Sequence, residues 1–210
     1  FFTVNQIKNV KNLDKIIIAT TNQEEDNIIE NFAKKNNIEC FRGNSEDVLD
    51  RYYQCAKNYE LDQIIRITGD CPLIDPQIVD KALEEFDRLD IEYFQNLEPR
   101  TFPDGMDVEL FTFEILEEAW REANLPSERE HVTSYFRNNE KKFRMKNFSN
   151  NKDLSFHRWT LDYNEDLELI RKIINKISHR PISMEQILTL FSEEPELFDI
   201  NKKYEANDGY

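Results

Sequence analysis

Short apolar runs alternate with amphipathic segments along the first half of the chain. Residues 15–20, 38–41 and 63–68 form such runs, which are typical of strands buried on both faces of a parallel sheet. Residues 22–36 and 45–59, which lie between the runs, place apolar side chains at helical spacing, and Ser45 is predicted to cap the second of these helices. Strands that alternate with helices over short connections predict a layered α/β sheet with right-handed crossovers.

Asp70, just after the third run, is the first residue with a position suited to chemistry. Asp75 is predicted to cap the next helix, which runs to about Leu89, with Pro76 at the first position, where its missing N–H costs nothing. Asp70 is therefore left between a strand and a helix, at the carboxyl end of the strand. In open α/β sheets this edge is where ligands bind.

The remaining pattern predicts further strands, helices and one turn. Strands are expected at 91–95, 108–113, 143–148 and 157–161, helices at 2–12, 114–123, 128–138, 164–177 and 183–191, and a turn at Asp104-Gly105. Asn164 is predicted to cap the helix over 164–177. We expect a single domain over residues 1–200 and a frayed polar tail over residues 201–210.

Composition narrows the class of protein. The 210 residues carry a formal net charge of -15, from 42 acidic and 27 basic residues. This charge argues against a nucleic-acid or anionic-membrane partner, because proteins that bind phosphate backbones collect Lys and Arg. No apolar run approaches the roughly 20 residues that span a bilayer, and Cys40, Cys55 and Cys71 lack metal-ligand spacing. We therefore expect a cytoplasmic protein with reduced thiols. The sequence contains no P-loop or GxGxxG motif.

Asp70 and Asp162 are the main candidates for chemistry. Asp162 follows the predicted strand 157–161, so the two carboxylates would share a cleft if those strands are neighbours. Two carboxylates in one cleft repel each other unless a cation lies between them, and Mg²⁺ held by carboxylates and substrate phosphates is the usual solution. The alternative is that Asp70 is a loop carboxylate and Asp162 a charge favoured by the helix dipole, as Glu165 and Asp166 are expected to be.

Two other groups of residues leave alternatives open. Ser127 and Glu130 fit a capping box, whereas Arg129 and His131 either bind an anionic substrate or belong to an ordinary helix start. Asp107 and Glu109 share one face of a predicted strand and either line a cleft or face water.

A third group lies at a connection between a predicted strand and a helix. Arg42, Gly43 and Arg51 flank this connection, from which an Arg could reach a triphosphate. The alternative is an ordinary surface Arg.

Several of these segments together resemble a known family. The stretches are FRGNSEDVLDRYYQCAK, RITGDCPLIDP, TFPDGMDVELF, LPSEREHVTSYFRNN and RWTLDYNEDLELI, and they cover most of residues 15–175. In this order they resemble the cytidylyltransferases of the spore-coat polysaccharide biosynthesis type. Those enzymes are relatives of the synthetases that make CMP-Kdo and CMP-N-acylneuraminate. The segments RITGDCPLIDP and LPSEREHVT are the specific ones.

The resemblance implies a fold, a reaction and roles for the candidate residues. It implies a three-layer, mostly parallel sheet of the nucleotide-diphospho-sugar transferase type. A sugar or similar acidic acceptor would attack the α-phosphate of CTP and release pyrophosphate, with Mg²⁺ held by Asp70 and Asp162. Arg42 and Gly43 match a segment near the nucleotide, and Arg51 lies on the same connection. The acceptor side is matched by Asp107, Glu109, Arg129 and His131. A homodimer is expected by the same analogy.

This sequence departs from the family pattern in two places. The family begins with a strand and a basic, Gly-containing loop around the triphosphate, and nothing of that kind precedes Phe1. Because that strand is central to the sheet, we expect exposed apolar surface and a site without its main triphosphate cradle. In addition, Phe156 takes the place of a His often found before the RWTxD segment, with His157 one residue later, and Asn164 replaces a usual Pro.

Two other functions compete with a cytidylyltransferase. One is a glycosyltransferase that uses a finished sugar nucleotide, although Gly69-Asp70-Cys71 lacks the second carboxylate of a D-x-D metal motif. The other is a non-catalytic or truncated domain that packs against a partner.

Overall fold

The computed structural model describes residues 1–204, which contain strands and helices in the predicted alternation. The strands are β1 (Ile17–Thr21), β2 (Glu39–Gly43), β3 (Gln63–Arg66), β4 (Tyr93–Gln95), β5 (Glu109–Thr112) and β6 (Met145–Asn147). The α-helices are α1 (Phe2–Ile7), α2 (Asn27–Lys35), α3 (Val48–Asn58), α4 (Pro76–Arg88), α5 (Phe113–Glu122), α6 (Pro126–Glu130), α7 (Ser134–Asn138), α8 (Asn164–Lys176) and α9 (Met184–Glu193). Short 3-10 helices cover Glu24–Asp26 and Pro195–Ile200.

The strands form two sheets. Strands β1 and β2 pair in parallel, and the second sheet has the order β3-β5-β4-β6. In the second sheet β5 is antiparallel to both of its neighbours, and β4 and β6 are parallel. Strands β3, β4 and β6 therefore share one direction, and their carboxyl ends lie at one edge.

Helices cover both faces of the second sheet. Along β4 and β5, Phe94 and Leu110 belong to a core cluster that includes side chains of α4, α8 and α9. Their neighbours Tyr93 and Phe111 belong to a second cluster, with side chains of α3, α5 and α7. Because successive strand residues point to opposite faces, this alternation requires three layers. The predicted three-layer α/β class is confirmed.

An open cleft separates the two sheets. Strands β1 and β3 do not pair, and a cleft of about 1350 Å³ lies between them. Its apolar lining includes Val4, Ile7, Ile17, Ile18, Phe32, Val48, Tyr52, Ile64 and Ile65. The chain thus exposes apolar surface along the edges of two strands, as expected. That a first strand is lacking stays a prediction.

Four local predictions were wrong. Helix α3 is capped by the Asp47 carboxylate, which accepts the Asp50 N–H at 2.8 Å, rather than by Ser45. The predicted helix 128–138 is two short helices that break at Val132, and residues 157–161 form one isolated bridge instead of a strand. The helix predicted over 2–12 ends at Ile7.

The predicted capping residues of two more helices were also wrong. The Glu128 carboxylate, rather than Ser127 with Glu130, caps the start of α6 by accepting the Leu125 N–H at 3.4 Å. At α8 the cap is Tyr163 instead of Asn164, and Asp166 accepts its N–H at 3.0 Å. Of the predicted frayed tail, Asn201 is 4% exposed, Lys202 and Lys203 are exposed, and 205–210 lie outside the described residues, so the frayed tail stays a prediction.

Candidate active site

The turn after β3 and the segment before α8 meet through the backbone. The Asp70 carbonyl accepts the Leu161 N–H at 2.9 Å and the Thr160 hydroxyl at 3.3 Å. Thr68 donates its hydroxyl to the Asp70 carboxylate, which fixes that side chain at the carboxyl end of β3. These bonds bring Asp70 and Asp162 to the same edge of the sheet.

The two candidate metal ligands also interact through their charges. Burial raises the pKa of Asp162, Arg158 lowers it, and the Asp70 carboxylate raises it again. The side chain of Asp162 is 21% exposed, and one of its oxygens accepts a bond from Arg158. The pair therefore concentrates negative charge at an accessible position.

The loop between β4 and β5 adds two more aspartates. Asp104 pairs with Arg158 through a backbone bridge, in which the Trp159 N–H donates to the Asp104 carbonyl at 2.7 Å. Gly105 makes this approach possible, since its φ is +96° and a Cβ there would lie 2.6 Å from the Trp159 carbonyl carbon. The same loop carries Asp107, whose carboxylate is held by Arg100 at 2.5 and 3.2 Å.

Asp107 has a perturbed acidity. Burial raises its pKa to about 6, although Arg100 acts in the opposite direction, and the charges of Asp104 and Glu109 raise it further. Buried Cys71 lies in the field of Asp107, Asp70 and Asp104, which raise its pKa together with desolvation, the largest cause. Asp70, after β3, and Asp104 and Asp107, in the loop between β4 and β5, thus lie near Cys71 at one edge of the sheet.

The donor set fits a hard divalent cation that also binds substrate oxygens. Within residues 1–204, no group of three or more His, Cys, Asp and Glu side chains is arranged to hold a metal ion alone. Asp70 and Asp162 supply carboxylate oxygens, and their mutual repulsion would be relieved by a cation. Mg²⁺ commonly binds through one or two carboxylates and completes its octahedron with phosphates and water.

The comparisons with known proteins decide the family. A family model described as Cytidylyltransferase matches residues 1–202. The chain belongs to the cytidylyltransferase family. This cytidylyltransferase is 32% identical over 192 residues to the spore coat polysaccharide biosynthesis protein SpsF of Bacillus subtilis. The match covers 89% of this chain and 78% of SpsF.

Solved structures share the fold. A cytidylyltransferase from Leptospira borgpetersenii has a TM-score of 0.90 and 35% identity, over 94% of this chain and 84% of that one. A CMP:2-keto-3-deoxy-manno-octonic acid synthetase complexed with CTP has a TM-score of 0.59 and 13% identity, over 81% and 85% of the two chains. Our cytidylyltransferase is therefore a nucleotidyltransferase that uses CTP.

The residues predicted near the nucleotide make bonds within the chain. Arg42 donates to the backbone carbonyl of Gln23 at 2.7 Å and pairs with Glu30 at 2.6 Å. Gly43 is packed so closely that a Cβ would lie 2.8 Å from Cγ of Arg51. Arg51 itself lines the cleft and donates to the Asn44 carbonyl. Their roles in binding CTP stay predictions.

The residues predicted on the acceptor side are not all at one place. Arg129 donates to Asp47 at 2.9 Å and to the Trp120 carbonyl at 2.8 Å, and His131 lines the cleft beside β3. Glu109 is 1% exposed and pairs with Arg66 at 2.5 Å. Although burial raises the pKa of Glu109, Arg66 and Tyr93 outweigh this and hold it below its usual value. Glu109 is thus buried in an ion pair rather than facing water.

Sequence reasoning missed the residues that organise the aspartates. The loop between β4 and β5 and the start of α8 are connected by Arg158, Asp104, Asp166 and Asn201, which are at most 5% exposed. Arg100 holds Asp107 within the loop between β4 and β5. A signal was present in the spacing of Arg158, Asp162 and Asp166, four residues apart, with opposite charges. His157, by contrast, packs among aromatic rings, with centroids of Trp159 and Phe191 at 5.3 Å.

Proposed function

We propose that this cytidylyltransferase transfers CMP from CTP to a sugar or similar acidic acceptor for surface polysaccharide biosynthesis, with Mg²⁺ as the cofactor. The observation that carries the proposal is the electrostatic coupling of Asp70 and Asp162 across the bonded backbone at the sheet edge. The name of SpsF and the CTP of the synthetase structure support the pathway and the nucleotide.

The reaction asks little covalent chemistry of the protein. An oxygen of the acceptor attacks the α-phosphorus of CTP, the bond to the β-phosphate oxygen breaks, and pyrophosphate leaves. Asp70 and Asp162 would hold the Mg²⁺, whose chemistry is to neutralise phosphate charge and orient the triphosphate. Arg158 and Thr68 keep the two carboxylates in place, because each donates to one of them.

The proposed acceptor side includes Asp107, Arg129 and His131. Asp107 lies with the aspartates of the site, whereas Arg129 and His131 lie on the side of α3 and the cleft. Since surface sugars activated in this way carry hydroxyl and carboxylate groups, a carboxylate and two cationic or polar side chains are suitable partners.

A cytoplasmic location and a homodimer are further proposals, and a monomer mass in light scattering would contradict the dimer.

Asp70→Asn tests the proposal directly. We expect pyrophosphate release from CTP, with a panel of sugar acids and sugar phosphates as acceptors, to fall by at least about 10²-fold while the fold is retained. Exposed Asp87→Asn in α4 is the matched control and should keep the rate. CTP binding is measured separately by calorimetry, against ATP and GTP.

Two results would contradict this assignment. Unchanged turnover of Asp70→Asn at saturating Mg²⁺ would remove Asp70 from the metal site. A folded protein that neither binds CTP nor releases pyrophosphate with any acceptor would favour the non-catalytic alternative. The glycosyltransferase alternative is disfavoured because the chain matches cytidylyltransferases over residues 1–202.

A further inference from the structure

Arg158 lies at the centre of a buried ion network beside the site. Its side chain is 4% exposed. The guanidinium donates to Asp104 at 3.1 Å, to Asp166 at 3.2 Å through two nitrogens, and to the Asp162 carboxylate. One planar group therefore contacts Asp104, in the loop between β4 and β5, and Asp162 and Asp166, at the start of α8.

The network fixes the turn that carries Asp162. Asp166 is completely buried and accepts the backbone N–H groups of Asp162 at 3.1 Å and Tyr163 at 3.0 Å. Asn201 donates to Asp166 at 2.8 Å and to the Arg158 carbonyl at 2.9 Å. Both ends of the turn are thus anchored, and the C-terminal segment provides one of the anchors.

Two aromatic rings cover the guanidinium. Tyr163 and Tyr204 stack with their centroids 3.9 Å apart and their planes at 5°. The Arg158 guanidinium carbon lies 5.5 and 5.8 Å from the two centroids, within cation–π range. The stacked rings therefore lie beside the guanidinium, which the C-terminal segment reaches through Tyr204.

The geometry requires an arginine. A guanidinium has five N–H donors in a rigid plane, so it can serve three carboxylates in fixed directions. A lysine ammonium carries the same charge but is a compact point on a flexible stem. The two cations therefore differ in how they orient Asp162 while supplying equal charge.

We propose that Arg158 is a positioning residue for the metal site. It holds the Asp162 carboxylate in the orientation in which Asp162 and Asp70 can bind the same cation. The inference rests on the proposed function, because it takes Asp70 and Asp162 as the Mg²⁺ ligands. Asp104, Asp166 and Asn201 act through Arg158, since they fix its guanidinium and its backbone. Groups that orient metal ligands in this way commonly contribute strongly to metal affinity.

The experiment measures metal binding without turnover. Mn²⁺ is titrated into the whole protein with CTP and without an acceptor, because the proposed site also uses substrate phosphates. Free Mn²⁺ is followed by electron paramagnetic resonance, and a titration of CTP alone is subtracted. Arg158→Lys keeps the charge and loses the planar arrangement of N–H donors. We expect it to raise the Mn²⁺ dissociation constant about tenfold or more. At high Mg²⁺, its rate of pyrophosphate release should recover substantially.

A core variant controls for lost stability. Leu116 is fully buried in the cluster formed with α3 and α5, away from the network. Leu116→Ala should lower the melting temperature at least as much as Arg158→Lys and leave Mn²⁺ affinity unchanged within about twofold. If Arg158→Lys does not fold, Asn201→Ala replaces it and should weaken Mn²⁺ binding about threefold or more.

The outcomes separate this inference from the proposed function. Wild-type Mn²⁺ affinity in Arg158→Lys, or equal weakening in Leu116→Ala, would overturn the role of Arg158 while leaving the metal site intact. If Asn201→Ala is the variant used, an unchanged affinity has the same meaning. A wild-type protein that, in the presence of CTP, binds no Mn²⁺ beyond the amount bound by CTP alone would contradict the metal site itself, and this inference with it.

Discussion

Gly105 is the residue on which the close approach of the two site loops depends. Its φ of +96° is a conformation that side chains with a Cβ rarely adopt, and a Cβ would meet the Trp159 and Thr160 backbone at 2.6–2.7 Å. Backbone atoms cannot move aside as a flexible side chain can. The Asp104-Gly105 turn was predicted from sequence, but the contact with Trp159 was not.

Gly105→Ala should therefore destabilise the protein. We expect a loss of roughly 2–4 kcal/mol in the free energy of unfolding, from backbone strain and the enforced separation of the loops. Urea denaturation measures it. Gly69→Ala is the matched control, because no atom lies within 4 Å of its added Cβ, and it should change stability by less than about 1 kcal/mol. Equal losses in the two variants would contradict the packing argument.

Asp107 should give the protein a pH-dependent stability. Burial is the main reason that its pKa is about 6 in the folded protein, against 3.8 as the ordinary value. Between these values the folded state binds more protons than the unfolded state, so stability falls as pH rises from about 4 to about 6. The side chain is 17% exposed, and the shift corresponds to roughly 2–3 kcal/mol.

Asp107→Asn removes this titration. The unfolding free energies of the wild type and the variant, measured by urea denaturation at pH 4 and pH 7, should differ in slope. The wild type is expected to lose more stability than the variant over this interval. Parallel pH curves for the two proteins would show that Asp107 does not titrate in this range.

At the level of elements, α4 illustrates a cap that does more than its local sequence suggests. The predicted cap Asp75 accepts the Gln77 N–H at 2.9 Å, which confirms the prediction. Its other oxygen accepts the Met184 N–H at 2.7 Å, at the start of α9. One buried carboxylate therefore caps one helix and attaches another.

Asp75→Ala should consequently be more costly than the loss of an ordinary cap. We expect about 3 kcal/mol, because two backbone N–H groups, at the starts of two helices, lose their acceptor. Ser183→Ala, which removes a hydroxyl that caps α9 by accepting the Gln186 N–H at 3.3 Å, should cost only about 1 kcal/mol. Thermal and urea unfolding compare the two, and similar losses would mean that the bond to Met184 contributes nothing.

Helices α6 and α7 show where local pattern fails. The sequence from 128 to 138 predicts one helix, yet Val132 interrupts it with a φ of +36° and is completely buried. A β-branched residue at positive φ is unfavourable, so packing in the cluster with Phe136 must outweigh the local preference. No periodicity along the chain reports such a tertiary contact.

At the scale of the whole molecule, the cleft between β1 and β3 is a large surface feature. Its apolar lining extends from α1 across both strand edges to α4, and strongly exposed Phe1 and Ile28 lie at it. Exposed apolar areas of this kind favour association with apolar molecules. No helix among residues 1–204 is long and apolar enough to cross a bilayer.

The folded chain should therefore bind the dye anilinonaphthalene sulfonate. We expect enhanced, blue-shifted fluorescence in native buffer that disappears cooperatively when the protein unfolds. Phe156→Ser removes an exposed aromatic ring that does not line the cleft, and it should leave the signal unchanged. A native protein without dye fluorescence would show that the cleft is closed in solution.

The sequence by itself determined the α/β class, most strands and helices, the Asp75 cap and the family, because these depend on local periodicity, turn chemistry and motifs. It also marked Asp70 and Asp162 as candidates at the sheet edge. Only the tertiary structure decided that Arg129 pairs with Asp47 and that Arg158 connects two loops of the site. The physical reason is that the pairs Arg129–Asp47 and Arg158–Asp104 join residues far apart in the chain, and such long-range contacts leave no periodic trace in the order of amino acids.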